Sequence, residues 1–265
     1  MKNIQRFKDW LLEDEKSSHT CEGYIRAVKQ FFSAFDEISK TNMIAYKSQI
    51  MEKWAPKTVN VRITALNQYC KYIGHPEYCI KQIKMPRTLS LENVISIEEY
   101  NTIVGGLLKD GKFREYWIIR FLAQTGARAS ELIQMDKEGL NRGYMETWNK
   151  GRIRRNYIPD QLRQDSKEYF RDTEGLLFRN WRGKPLTTRG LANIIKRQGN
   201  NYGIRKEVLY PHSFRHLFAI QFMRHDSDIS LLADLMGHAS ASTTAIYTRL
   251  STKEQRERLN KAMDW

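Results

Sequence analysis

The sequence lacks the features that would indicate a membrane, secreted or nucleotide-driven protein. It has only 3 cysteines in 265 residues. No apolar run approaches the roughly 20 residues of a membrane-spanning helix. Its opening segment, MKNIQRFKDW, has no apolar signal-peptide core. It also contains no P-loop and no carboxylate cluster of the kind that binds a metal. These absences predict a cytoplasmic protein with reduced thiols, no membrane partner, no small-molecule cofactor and no metal.

The few cysteines leave one metal alternative, a zinc cluster. Its candidate ligands are Cys70, His75 and Cys79, with His19 and Cys21. The spacing Cys-x4-His-x3-Cys is not that of a standard zinc finger. Cys21 and Cys70 also fall on the apolar faces of predicted helices, so buried structural cysteine is the favoured interpretation.

What the chain does have is positive charge. It carries 44 Lys and Arg against 30 Asp and Glu, a formal net charge of +14, which indicates a polyanionic partner. Residues 1–90 hold 15 basic and 9 acidic side chains, and the remainder holds 29 and 21. Because both halves share the excess, both could touch the polyanion, as two arms of a clamp would. The alternative is a solvated basic surface without a partner.

Residues 1–85 are predicted to form a small helical domain. Four segments show helical periodicity, and the clearest stripe runs from Tyr24 to Phe35 after three possible capping residues. Pro56 begins the fourth helix and Gly74 ends it. The possible caps are Ser17, Ser18 and Thr20.

Residues 86–95 are predicted to be a linker, which overlaps a stretch at 81–93, KQIKMPRTLSLEN, that has no helical period and contains Pro86. Ser96 and Glu99 then form a Ser-x-x-Glu capping box that begins the next helix, so a second domain is predicted over residues 96–265. The linker stretch carries three basic residues that could cross a phosphate backbone: Lys81, Lys84 and Arg87.

The second domain is predicted to be mostly helical. A helix near residues 112–124 is rich in aromatic and aliphatic side chains and is expected to be buried. Residues 141–159 are different, because glycine and asparagine interrupt short runs; they predict a small antiparallel sheet with a hairpin near Lys150. Helices resume at Thr187 and continue to the end. The predicted fold class is therefore mostly α with a small antiparallel β-sheet (α+β).

Six polar residues scattered through this second domain point to chemistry on a phosphodiester. They supply two guanidiniums, an ammonium group, two imidazoles and a phenol. Arginine suits the negative oxygens, because its planar fork donates two hydrogen bonds and keeps its charge. The six are Arg128 in TGARASEL, Lys150 in NKGRIRR, His212 and Arg215 in PHSFRH, His238 in LMGHAS, and Tyr247 in TTAIYTRL.

In their order and local context, these residues resemble the tyrosine recombinases, the phage-integrase family that includes lambda integrase, Cre and the Xer proteins. The resemblance is strong from about residue 96 to the end and looser over residues 1–85. It implies a SAM-like, core-binding helical domain followed by a catalytic domain with a C-terminal tail helix. Since the chain has no room for the arm-binding module of lambda integrase, a two-domain Xer- or Cre-like architecture is expected.

The resemblance implies a role for each residue. Arg128 and Arg215 would hold the non-bridging phosphate oxygens, and Tyr247 would attack the phosphorus. By the same resemblance, His212 would be the general base. It shares a face with Arg215 on a helix that Pro211 is predicted to begin. His238 would donate a hydrogen bond to phosphate, and Lys150 would protonate the leaving 5′ oxygen.

Three neighbouring features add to these six residues. Glu131 is expected to support Arg128, as an acidic residue does at that place in the family. His216, four residues after His212, either packs in the core or takes a direct part. The basic residues that follow Lys150 could form an edge that touches DNA; they are Arg152, Arg154 and Arg155.

The implied function is site-specific recombination through a 3′-phosphotyrosyl intermediate, in integration, excision or dimer resolution. The expected partners are duplex DNA with paired recombination sites and a homotetramer formed on that DNA. The tail, residues 251–265, would dock into a neighbouring subunit or fold back on its own domain. Two alternatives stay open: type IB topoisomerase-like relaxation of DNA, and a non-catalytic DNA-binding protein.

Overall fold

The computed structural model describes residues 4–85, 93–149 and 152–237, and five single residues beyond them: Thr244, Ile246, Tyr247, Asn260 and Met263. The chain divides into two compact units, unit 1 over Met1–Arg87 and unit 2 over Thr88–Trp265. Within the described ranges, every helix is too short or too polar to cross a membrane.

Unit 1 is built from four helices, as predicted. Ser17 caps the second helix by accepting the Thr20 N–H, Pro56 lies in the first turn of the fourth, and Gly74 follows that helix with a φ of 81°. The helices are α1 (Ile4–Glu13), α2 (Ser18–Phe32), α3 (Lys40–Lys53) and α4 (Pro56–Tyr72), followed by a 3-10 turn at Pro76–Tyr78.

The core of unit 1 is apolar and rich in aromatic rings. Phe31 is fully buried, and its ring centroid lies 5.1 Å from that of Tyr46 and 5.3 Å from that of Phe35. Cys21 and Cys70 are buried in the same core as free thiols, which confirms their predicted packing role. In the described part of the chain, no three His, Cys, Asp or Glu residues are grouped so as to hold a metal ion.

The stretch after α4 is hydrogen-bonded to that helix. The Asn67 side chain pairs with the backbone of Ile80, and the Asn60 side chain pairs with the backbone of Ile83. Residues 80–85 therefore pack on unit 1. Residues 86–92, which include most of the predicted linker, lie outside the described residues.

Unit 2 begins with Val94 and Ile95 buried in its own core. The Ser96–Glu99 capping box is present at the start of the next helix, as predicted. The helices are α5 (Ile97–Lys109), α6 (Phe113–Thr125), α7 (Ala129–Leu132), α8 (Lys137–Arg142), α9 (Asp160–Ser166), α10 (Thr188–Asn201), α11 (Pro211–His225) and α12 (Ile229–Met236), with a 3-10 turn at Lys206–Val208.

The predicted hairpin is an antiparallel pair, β1 (Tyr144–Asn149) and β2 (Arg152–Tyr157), in which Thr147 is opposite Arg154. Side chains alternate along β2. Arg154 and Asn156 are buried, whereas Ile153 is 63% exposed. The predicted fold class, mostly α with a small antiparallel sheet, is confirmed.

Helix α6 lies at the centre of unit 2, as its apolar sequence predicted. Its Trp117 and Phe121 pack edge-on or tilted against Phe170, and α6 also packs along α11. Because α6 leads into Arg128 and α11 carries His212 and Arg215, this packing sets the positions of the polar residues. The short helices α7, α8 and α9 were not predicted, since segments of four to seven residues show little periodicity.

Candidate active site

Arg128 lies at a sharp turn between two helices. α6 ends at Gly126, which has a φ of 60°, and a Cβ there would overlap the ring of Phe218. The turn therefore requires glycine at this position. Arg128 follows as the N-cap residue of α7, with its side chain 27% exposed.

Arg215 lies on α11, one turn after Pro211 begins that helix. Its guanidinium is 4% exposed and donates to the carbonyl oxygen of Gly126 at 2.5 Å and to that of Met236. The predicted helix start at Pro211 is confirmed. His212 is exposed on the same helix.

The carboxyl end of α12 is the place where three arginines meet. Helix ends leave their last carbonyl groups without helical partners and carry partial negative charge, so guanidinium groups are suitable partners. Each of three successive carbonyl oxygens accepts from a different arginine. These pairs are Leu235 O with Arg154 Nη2 at 2.6 Å, Met236 O with Arg215 Nη2, and Gly237 O with Arg128 Nη2 at 3.0 Å.

Glu131 joins two of these arginines. One carboxylate oxygen accepts the Arg128 backbone N–H at 2.7 Å, and the other accepts Arg128 Nη1 at 2.7 Å. Arg154 Nη1 donates to both oxygens, at 2.6 and 2.7 Å. Glu131 is 5% exposed. Burial favours a higher pKa for this carboxyl group, but the Arg128 N–H and the two guanidiniums lower its pKa overall, so it is ionised at neutral pH.

The cluster holds three positive charges around one negative charge. Burial, followed by repulsion from Arg154 and Arg128, lowers the pKa of Arg215 to about 10. Burial likewise lowers the pKa of Arg154, with Glu131 opposing the shift. Buried cations in excess are costly to fold, and such sites are often the ones that bind an anion.

Tyr247 is connected to α11 through a histidine. A hydrogen bond of 2.6 Å joins its hydroxyl group and His216 Nδ1, and the two ring centroids are 5.6 Å apart. The Tyr247 ring is 8% exposed and packs with three apolar side chains: Ala219, Leu232 and Met236. His216 is thus a direct hydrogen-bond partner of the phenol.

Both members of this pair are neutral near pH 7. Burial raises the pKa of Tyr247 to about 12, although Arg215 opposes that shift. Burial, with the neighbouring His212 and Arg215, lowers the pKa of His216 to about 4. The phenol is therefore protonated in this arrangement, and it must lose its proton to act as a nucleophile.

Two of the six predicted residues, Lys150 and His238, lie outside the described residues. The residue before each is described: β1 ends at Asn149, and α12 ends beside Gly237. The other four fall into one region. Arg128 and Arg215 meet at the end of α12, and His212 shares α11 with Arg215 and with the histidine that contacts Tyr247.

The sequence interpretation of Arg154 was wrong. It was grouped with Arg152 and Arg155 as an edge that touches DNA, but its side chain is 8% exposed and points into unit 2. Arg155, on the opposite face of β2, is 55% exposed and pairs with Glu146. Strict strand alternation through the hairpin was the signal that could have separated the two arginines.

Comparison with known proteins identifies relatives of the whole chain. The chain is 27% identical to tyrosine recombinase XerD of Staphylococcus epidermidis over 278 residues, covering 97% of this chain and 88% of that protein. It is 29% identical to tyrosine recombinase XerA of Pyrococcus furiosus over 272 residues, covering 98% and 93%.

Solved structures show the same fold at lower identity. XerH site-specific recombinase bound to difH substrate in a pre-cleavage complex matches with a TM-score of 0.71 and 20% identity, covering 92% of this chain and 80% of that one. A lambda integrase tetramer bound to a Holliday junction matches with a TM-score of 0.74 and 16% identity, covering 94% and 78%.

The family model supports the same assignment. The phage integrase family matches residues 93–254, a span that contains all six predicted polar residues and most of unit 2. Since this match covers more than half of the chain, and the Xer relatives extend over nearly all of it, the chain belongs to the phage integrase family and is a tyrosine recombinase, an enzyme that transfers DNA strands.

Proposed function

We propose that this recombinase cleaves one strand of a duplex with Tyr247 and reseals it to a partner duplex. The Tyr247 oxygen forms a bond to the scissile phosphorus while the bond from phosphorus to the 5′ oxygen breaks. The product is a 3′-phosphotyrosine, which keeps the energy of the broken ester, so resealing is the same step in reverse. The observation that carries the proposal is the meeting of Arg128 and Arg215 beside the helix that contacts Tyr247.

The roles of the other residues follow from what the reaction needs. Arg128 and Arg215 stabilise charge on the non-bridging oxygens, where each preorganised donor contributes about 3–4 kcal/mol in comparable oxyanion sites. His212 accepts the phenol proton, and its exposure leaves it open to a bound substrate. Lys150 gives a proton to the departing 5′ oxygen, and His238 donates to a non-bridging oxygen; both roles rest on the family motifs.

The arrangement around Tyr247 implies a movement before cleavage. Its ring is 8% exposed, and its hydroxyl group is hydrogen-bonded to His216 inside the protein. A phosphorus atom in duplex DNA cannot enter this apolar pocket. We therefore infer that the tyrosine turns away from His216 and towards the arginines when DNA binds.

The proposed assembly is a homotetramer on paired DNA sites. The similarity to a lambda integrase tetramer bound to a Holliday junction supports four subunits. The shared positive charge of residues 1–90 and of the remainder supports contact with DNA from both units. The residues of unit 1 are proposed to form the core-binding domain, and the cytoplasm is the proposed location because the DNA substrate is found inside the cell.

The test is covalent trapping on nicked DNA. Fragments of the source genome, nicked so that the freed strand diffuses away, are incubated with the wild-type protein and with Tyr247→Phe and Tyr169→Phe variants. We expect wild type and Tyr169→Phe, whose ring is 44% exposed in unit 2, to become attached to a defined fragment. Tyr247→Phe should give no adduct and bind that fragment with an affinity within about 3-fold of wild type, because most phosphate contacts lie elsewhere.

Each other outcome has a clear consequence. An adduct with Tyr247→Phe would show that another residue is the nucleophile. No adduct with any protein, despite tight DNA binding, would favour the non-catalytic alternative. Supercoiled DNA could also be relaxed equally fast whether or not it carries two copies of the trapped fragment. That result would favour a topoisomerase.

A further inference from the structure

Arg154 is the arginine of the cluster that donates to both carboxylate oxygens of Glu131 through one nitrogen and to α12 through another. Both terminal nitrogens are used within the protein, Nη1 on the two oxygens of Glu131 and Nη2 on Leu235 O. Its Nε is buried and has no hydrogen-bond partner among the described residues. The side chain is 8% exposed, and no phosphate contact is proposed for it. Its role follows from its contacts with Glu131 and Leu235.

Those contacts lead to both proposed phosphate-binding arginines. Through Glu131, Arg154 holds the carboxylate that also fixes the Arg128 backbone and guanidinium. Through Leu235, it holds the helix end whose next two carbonyl groups accept from Arg215 and Arg128. One side chain on β2 therefore forms hydrogen bonds to α7 and to α12, the two elements that position the guanidiniums of Arg128 and Arg215.

The backbone at the end of α12 is shaped for this side chain. Gly237 has a φ of 57°, and a Cβ there would overlap Cδ and Nε of Arg154. Gly237, the C-cap residue of α12, thus has no side chain at the point where the Arg154 side chain passes close to the backbone. Close approach at a glycine is an independent sign that the position of Arg154 is specific.

Charge alone would favour a different residue. Arg154 is a third cation beside Arg128 and Arg215, and its charge repels both. A neutral side chain would relieve this repulsion. A neutral residue, or a lysine with its single nitrogen, cannot reproduce the forked hydrogen bonds that Arg154 makes to Glu131 and Leu235.

We infer that Arg154 is a positioning residue, which ties Glu131 to the carboxyl end of α12 and so holds Arg128 and Arg215 at the separation that a phosphate needs. The inference rests on the proposed function of those two arginines. Arg154 lies on β2, four residues after Lys150 in the sequence, so its hydrogen bonds also connect this strand to Arg128 and Arg215. A small displacement of a catalytic group is enough to slow a reaction by about 100-fold.

The test uses the DNA fragment trapped by the wild-type protein and compares Arg154→Met, Arg154→Lys and Arg171→Met. Arg171→Met is the control, because it removes an exposed arginine of unit 2 that pairs with Glu168 and Asp172. Single-turnover adduct formation at saturating DNA gives a rate constant and an amplitude, and a separate titration gives the dissociation constant.

We expect Arg154→Met to lower the rate constant by about 100-fold and Arg154→Lys by about 10-fold, with dissociation constants within about 3-fold of wild type. Arg171→Met should keep the rate constant. A merely structural role would reduce the amplitude, the fraction of active protein, and leave the rate constant unchanged. If Arg154→Met does not fold, Arg154→Lys is the deciding variant. A lower rate constant supports the inference, and a lower amplitude with an unchanged rate constant contradicts it.

A double-variant cycle with Glu131→Gln adds a second criterion. If Arg154 acts through Glu131, the combined loss in rate constant is smaller than the product of the two single losses. A wild-type rate constant in Arg154→Met, or independent losses in the cycle, overturns the inference. So does a large loss of affinity with a weaker salt dependence, which would make Arg154 a phosphate contact. If wild type forms no adduct, the proposed function fails, and the inference falls with it.

Discussion

The two units of this recombinase place their charged residues very differently. In the described part of unit 1, every buried side chain is apolar, a cysteine or a tyrosine. In the described part of unit 2 four charged residues are buried, Glu115, Glu131, Arg154 and Arg215, and three of them belong to the cluster at the end of α12. An apolar core stabilises a fold without further conditions, whereas buried guanidiniums are costly unless each is paired or binds a ligand. The difference indicates that the buried charges of the site lower the free energy of unfolding of unit 2.

The largest expected effect breaks the apolar side of this comparison. Phe31→Ala removes a fully buried ring that packs against Phe35 and Tyr46 in unit 1. We expect unit 1 to lose about 3–5 kcal/mol of unfolding free energy. Hydrogen exchange should show it as at least 100-fold faster exchange of α2 and α4 amides, with α6 amides unchanged.

The control for this change is Val61→Ala, which lies on α4 and is 54% exposed; it should leave exchange in both units close to wild type. Equal acceleration in α6 and in α2 would show that the units unfold together. In that case unit 1 would not be stable independently of unit 2, and the contrast between its apolar core and the charged cluster of unit 2 would be wrong.

The next effect concerns the charged side of the comparison. Arg215→Ala should slow single-turnover cleavage by about 100- to 1,000-fold, because a preorganised donor to the phosphate is lost. The thermal midpoint of unit 2 should change far less than that of unit 1 does in Phe31→Ala, since burial of this cation is already unfavourable. Adduct kinetics and calorimetry on one preparation measure both quantities.

Arg171→Ala is the comparison variant, since its side chain is 65% exposed and pairs only with acidic neighbours in the described structure. It should cleave at the wild-type rate. A near-normal rate in Arg215→Ala, with a strongly lowered midpoint, would assign Arg215 to folding and not to the reaction.

The smallest effect sharpens the comparison through pH. Burial holds the pKa of His216 at about 4, below its ordinary value of 6.5. The unfolded chain therefore binds a proton first as the pH falls, and the stability that neutral His216 provides above pH 6.5 is lost between about pH 6.5 and 4. In His216→Gln this contribution is absent. Between pH 7 and 5, we expect the unit 2 midpoint of wild type to fall by roughly 2–4 °C more than that of the variant.

Calorimetry at the two pH values checks this prediction, and His75→Gln is the control because His75 is an exposed histidine of unit 1. Identical pH dependence in wild type and His216→Gln would mean that His216 is not held neutral by burial. The hydrogen bond to Tyr247 would then need another explanation.

Much of the fold followed from local patterns in the sequence. The Ser96–Glu99 capping box, Pro56 and Pro211 each marked a helix start that the structure contains, because capping and proline geometry depend only on nearby residues. The hairpin near Lys150 was predicted from its interrupting residues. The short helices α7 to α9 were missed, since they depend on packing against α6 and its neighbours more than on their own periodicity.

The site divides in the same way. The sequence by itself determined which chemical groups are present, their order, and the glycine turns that let the backbone bend beside them. It did not determine that Arg154 points inwards, that three arginines share one helix end, or that His216 meets Tyr247. These are contacts between residues far apart in the chain, such as Arg128 with Gly237 and Arg154 with Leu235. Only the packed tertiary structure decides them, because a guanidinium buried in unit 2 takes whatever carbonyl or carboxylate group the fold brings within reach.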